Sequence, residues 1–88
     1  MATAHAPSIL FEEIATLFAS APSSQEIIDF RPSQTAVDRA SELLEWNRQD
    51  RLDDDQREEL KQFEQAELLM RLVKARIRAA QASERPPR

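Results

Sequence analysis

The sequence has no cysteine, no glycine and no tyrosine, and its one histidine, His5, stands close to the N-terminus. Without cysteine there are neither disulfides nor thiolate metal sites. A lone histidine in a loose leading segment reads as a solvated group rather than a ligand. Without glycine the chain has no phosphate-cradling loop, no dinucleotide fingerprint and no Asn-Gly or Asp-Gly hairpin turn. No run approaches the roughly eighteen apolar residues of a membrane-spanning helix. Ser8 to Ala21 is fairly apolar and ends in Ala19-Ser20-Ala21. No basic residue precedes it, however, and Glu12 and Glu13 interrupt it, so no cleaved signal is expected and the cytoplasm is the default location.

What is present is 88 residues, 32% charged and 41% apolar, the balance of one small globular domain. Ala, Leu, Glu, Gln and Arg dominate, while strand formers are sparse and do not alternate. The fold expected is all-α: a small helical bundle in which two or three short helices pack on one long C-terminal helix. A chain this short buries too little surface for a robust core of its own. With disulfides and thiolate metal sites excluded, association with another chain is the remaining aid to stability.

Along the chain, residues 1–7 read as a disordered lead, residues 8–82 as a single helical domain and residues 83–88 as a flexible basic tail. Ser8 is placed to cap a first helix over about 8–20, with Ile9, Leu10, Ile14, Leu17 and Phe18 recurring at three- and four-residue spacing. Ala21-Pro22-Ser23-Ser24 is turn-like. Gln25–Phe30 is a short segment that ends where Pro32 pushes Arg31 away from helical geometry. Ser33 caps a second helix over 33–48, whose apolar face is Ala36, Val37, Ala40, Leu43, Leu44 and Trp46 or the stem of Arg48. Asn47–Leu52 reads as a polar connector. Asp53, with Gln56 three residues on, approximates a capping box for a third helix over about 54–82, uninterrupted by proline or glycine.

On that long helix Leu60, Phe63, Ala66, Met70, Val73 and Ile77 fall on one side. Leu68, Leu72 and Ala79 fall on a second, with Leu69 and Ala80 between. The apolar arc is wider than two short helices can cover, so one flank is expected to meet a second chain, a copy or a different protein. The partner-binding candidates are therefore Phe63, Leu68, Leu69, Met70, Leu72 and Val73. Phe63 and Met70 read first as core that a partner could share. Trp46 with Arg48 is a second candidate anchor, since interfaces favour both residue types, although Trp46 reads first as a lid on the core.

Charge is unevenly placed. Met1–Met70 carries fifteen acidic against six basic residues, a net charge of −9, whereas Arg71–Arg88 carries one acidic against six basic, a net of +5. Part of this serves the helix dipole. Arg71, Lys74 and Arg78 also share a face, and with Arg76 they are candidates for contact with an acidic partner or with nucleic acid. So few phosphate contacts would support only weak, salt-sensitive DNA binding.

The acidic residues give no catalytic centre. Glu12-Glu13, Asp53-Asp54-Asp55 and Glu58-Glu59 are sequence neighbours, which diverge on a helix rather than converge on one atom. Glu64 and Glu67 share a face but have no histidine beside them to complete a metal site. No cofactor, metal or catalytic residue is assigned, and the chain is expected not to be an enzyme.

Ile27-Ile28-Asp29-Phe30-Arg31-Pro32-Ser33, Leu43-Leu44-Glu45-Trp46-Asn47-Arg48 and Leu68-Leu69-Met70-Arg71-Leu72-Val73-Lys74-Ala75-Arg76 occur in that order. Over roughly Glu26–Ala80 this arrangement resembles a set of short helical bacterial proteins, common in cyanobacteria. Those proteins are antitoxin-like and encoded beside small nuclease-type toxins of HNH or PIN type. The connector departs from their pattern, with Gln49-Asp50-Arg51-Leu52-Asp53 where they often have a Gly step. Ala66-Glu67 stands where they commonly have Glu-His, so no histidine role carries over. The resemblance implies a toxin–antitoxin partner, an inhibitor that restrains a nuclease. The residues alone leave open a DNA-binding or autoregulatory module using the basic end of the long helix, and a self-associating adaptor that forms a homodimer.

Overall fold

A computed structural model describes residues 7–84; the lead before Pro7, with His5, and the tail beyond Glu84 lie outside the described residues. Four helices make up the fold: α1 (Ile9–Ala19), α2 (Ser24–Asp29), α3 (Gln34–Arg48) and α4 (Asp54–Ser83). Among the described residues there is no strand. The protein is a small all-α bundle in which α1, α2 and α3 each pack on the long α4.

Each helix starts at a side-chain cap. Ser8, Ser23, Ser33 and Asp53 accept the backbone N–H of Phe11, Glu26, Ala36 and Gln56 respectively. At Ser23 and Asp53 the reciprocal bond from Glu26 or Gln56 completes a capping box. The Ser23–Glu26 box caps α2, a six-residue helix in the segment to which apolar periodicity assigns none.

Two helices end in left-handed backbone without glycine to supply it. Ala21 has φ 52° and Asp50 φ 54°. After α3 the stop is a Schellman motif: Asp50 N–H donates to the Asn47 carbonyl at 3.0 Å and Arg51 N–H to that of Trp46 at 2.9 Å. After α1, Ala21 N–H reaches the Phe18 carbonyl at 3.1 Å and Pro22, which has no N–H, takes the place of the second donor.

The core is Leu10 and Ile14 from α1, Ala36 and Leu43 from α3, and Leu60, Phe63, Ala66 and Met70 from α4, closed at one end by Leu52. Leu52 corrects the reading of 47–52 as a wholly polar connector: the Schellman stop turns the chain so that the next side chain is buried. Val37 and Leu44, assigned to the apolar face of α3, are exposed instead. Each is one residue, about 100°, from buried Ala36 or Leu43, which turns it away from the side of α3 that carries those core residues.

Polar bonds fix the short helices to their neighbours. Ser8 N–H donates to Gln62 Oε1 at 2.6 Å, and the Glu13 carboxylate accepts Ser33 N–H at 2.9 Å together with its hydroxyl. Arg39 forks onto Glu59 of α4 through Nε at 2.7 Å and Nη2 at 2.8 Å, with Glu42 as a further partner. Hydrogen bonding to Glu59 holds the Arg39 guanidinium more firmly protonated than usual, against the opposing effect of its desolvation.

The radius of gyration is 16.3 Å and the extents 56 × 29 × 24 Å. A compact chain of this length would have a radius of about 12 Å. The excess comes from α4, whose 30 residues span about 45 Å.

Candidate functional site

Along α4 the buried side chains stop at Met70, yet the helix continues to Ser83. Phe63 and Met70, at 3% and 6% exposure, belong to the protein's own core and present no free surface to a partner. Leu68, Leu69 and Leu72 are 51%, 43% and 48% exposed. Leu72 lies about 200° around the helix from Met70, on the side away from the core. With Ala75 and Ala79, both exposed, Leu68 and Leu72 form a row spaced four, three and four residues apart, the spacing of a helix-pairing seam. Val73 and Ile77 are half-buried and line a hollow with Ser24 at the start of α2. Leu60, Phe63, Ala66 and Met70 of the core stripe are buried and Leu68 and Leu72 of the outer stripe exposed, as the sequence divides them. Val73 and Ile77, read with the core stripe, lie past the end of the core and are only half-buried.

The structure does not bring Trp46 and Arg48 together. Trp46 is half-buried against the core, with the Arg39 guanidinium 5.5 Å from its ring centroid, while Arg48 is exposed and pairs with Glu45 at 3.3 Å. Two residues apart on a helix, their side chains leave in nearly opposite directions.

The basic residues of α4 divide between two surfaces. Arg76 lies beside the hollow lined by Val73 and Ile77. Arg71, Lys74 and Arg78 instead line an open cleft of about 380 Å³, opposite Phe30, Arg31 and Pro32 of the loop between α2 and α3. The Phe30 carbonyl accepts from Lys74 Nζ at 2.9 Å and from Arg31 Nη1 at 2.8 Å; Arg31 also reaches the Ile28 carbonyl at 3.2 Å. Two cations therefore share one backbone oxygen. Burial, then Arg31 and Arg78, push the Lys74 pKa below its ordinary 10.5, with Asp29 opposing. Among the described residues Arg31, Arg71, Lys74, Arg76 and Arg78 form no ion pair with a carboxylate.

Arg31 is the member of this cluster that periodicity along α4 could not supply. The signal was Arg31-Pro32: the proline holds the preceding residue extended, which turns the arginine back over the end of α2.

Among the described residues no group of three or more His, Cys, Asp or Glu side chains is arranged to hold a metal ion, and no helix is long and apolar enough to cross a membrane. Glu12 and Asp54-Asp55 sit in first helical turns, where the dipole favours acids. Compared with protein-family models, with curated proteins and with solved structures, the chain gives no match to any of them.

Proposed function

We propose that the protein is a non-catalytic binding protein that docks another protein along the outer face of the C-terminal half of α4. The observation that carries this reading is the exposure of Leu68, Leu69 and Leu72 on a helix whose opposite face already fills the core. Three adjoining leucines at the surface of a small protein form the kind of apolar patch that partners cover. The rim supports the same reading: arginines at 71, 76 and 78 flank the row, as the charged edge of a helix–helix interface does.

The resemblance of the Ile27–Ser33, Leu43–Arg48 and Leu68–Arg76 stretches to antitoxin-like proteins points to the partner's class, a nuclease-type toxin that this chain restrains. The acidic body, with its net −9 over Met1–Met70, suits approach to a basic protein such as a nuclease. A second reading, pairing with a copy of itself, has one observation in its favour: antiparallel α4 helices would set Leu68 and Leu72 of each copy against Ala79 and Ala75 of the other. The same register sets Arg71 and Arg78 of the two copies against one another, a like-charge opposition that disfavours it. Binding to DNA would rest on four or five cations beside an acidic body, which supports weak, salt-sensitive contact only.

The test is co-purification of the tagged protein from its native host at moderate salt, with mass spectrometry and a nuclease assay on the product. The expected result is one stoichiometric companion of nuclease-like sequence, silent in the complex and active when freed. Recovery of the protein alone, sized by light scattering as a dimer, would overturn the inhibitor reading in favour of self-association.

A further inference from the structure

The cleft beneath the α2–α3 loop is separate from the leucine row, though Arg71 and Arg78 border both. Its floor is the half-buried Phe30, packed over the core residues Leu10 and Met70, and its walls carry Arg31, Arg71, Lys74 and Arg78 against a single acid, Glu67. Arg31 and Lys74 are held in place by the Phe30 carbonyl, so their charges are positioned before anything binds. That carbonyl is a neutral acceptor, and neither cation forms an ion pair with a carboxylate among the described residues, although Asp29 acts on Lys74 from a distance.

A cleft of about 380 Å³ exceeds the size of a simple inorganic anion, and an apolar floor gives such an ion nothing to rest on. A phosphate backbone would meet the cations but leave the half-buried Phe30 ring uncovered. A peptide with a large apolar side chain flanked by carboxylates matches both parts: the side chain covers the floor and the carboxylates meet the walls.

We propose that this cleft binds an acidic segment of the protein partner, with an apolar side chain on the half-buried Phe30 ring and flanking carboxylates on Arg31, Arg71, Lys74 and Arg78. This rests on the partner-binding reading and names the chemistry of the partner's contacting segment. A partner helix seated on Leu68 and Leu72 passes beside Arg71 and Arg78, so the segment that follows it has a short path into the cleft.

The experiment is an NMR titration of the full chain with a short synthetic peptide carrying one leucine between glutamates, and with the same peptide carrying glutamines. Saturable shifts are expected at the amides of Phe30 and Arg31 and from Met70 to Arg78 with the acidic peptide alone. Arg31→Gln and Arg78→Gln should each weaken that binding about fivefold or more, and Arg48→Gln should leave it unchanged. Arg78 makes no hydrogen bond or ion pair with the described residues, so its variant reports on the cleft even where Arg31→Gln disturbs the loop. Shifts elsewhere, equal binding of the glutamine peptide, or indifference to both variants would overturn the proposal. So would displacement of the peptide from these amides by a lower concentration of a short DNA duplex, which would assign the cleft to nucleic acid. The Leu72→Asp variant separates the two readings. Its loss of partner capture with no peptide binding in the wild-type cleft would leave the leucine row as the interface and remove the cleft alone.

Discussion

Ala21 and Asp50 hold the same left-handed conformation at the ends of α1 and α3, one with a methyl group and the other with a carboxylate. Asp tolerates this region better than Ala, because its short polar side chain can bond locally. Relief of the Ala21 strain, about 1–2 kcal/mol, outweighs the entropy a glycine adds to the unfolded chain, about 0.4–1 kcal/mol. Ala21→Gly is therefore expected to stabilise the fold by roughly 0.5–1 kcal/mol in urea unfolding, and Asp50→Gly by less. The Arg39–Glu59 pair is the polar tie between α3 and α4, and its side chains are 32% and 27% exposed, so solvent screens part of its energy. Arg39→Lys keeps the charge but loses the fork on Glu59 and the flat guanidinium near Trp46. A loss of about 1 kcal/mol is expected, read as a fall in Tm of roughly 4–8 °C for a domain of this size.

At the level of the element, α4 is two helices in energetic terms. From Leu60 to Met70 it is anchored by core packing, and beyond Met70 only Val73, Lys74 and Ile77 remain half-covered. Hydrogen exchange should show this directly, with amides from 62 to 70 protected near the global limit and those from 76 to 83 opening at a small fraction of that free energy. Protection of the second set is expected to rise when the partner binds. The two stripes of α4 were legible in the sequence because apolar residues repeat at helical spacing for many turns. Shorter elements were less so. Gln25–Phe30 is too short to show a period, and only Ser23 with Glu26 announced α2. Leu52 stands alone among polar residues, so its burial depends on a backbone turn that a chain without glycine makes at Asp50. Val37 and Leu44 fit the apolar pattern of α3 but face outward, because a pattern cannot tell how many neighbours a helix has.

The whole molecule is an acidic bundle with a basic, leucine-bearing helical extension, and its radius of gyration records that extension. Of the candidate surface, Leu68, Leu69 and Leu72 were readable from periodicity alone, since their spacing sets them off from Phe63 and Met70. The basic cleft was half readable: Arg71, Lys74 and Arg78 share a helical face, but Arg31 joins them from 40 positions earlier than Arg71 through tertiary packing. On the proposed function the outer face of α4 serves a partner and contributes little to the protein's own stability. Circular dichroism melting of Leu72→Asp, set beside its capture of the partner that the wild type retains, tests this most directly. Unchanged helicity, a stability within about 0.5 kcal/mol of wild type as for other surface substitutions, and loss of the partner are expected. An unfolded variant would place Leu72 in the core, and a folded variant that still holds the partner would place the interface elsewhere; either result contradicts the account.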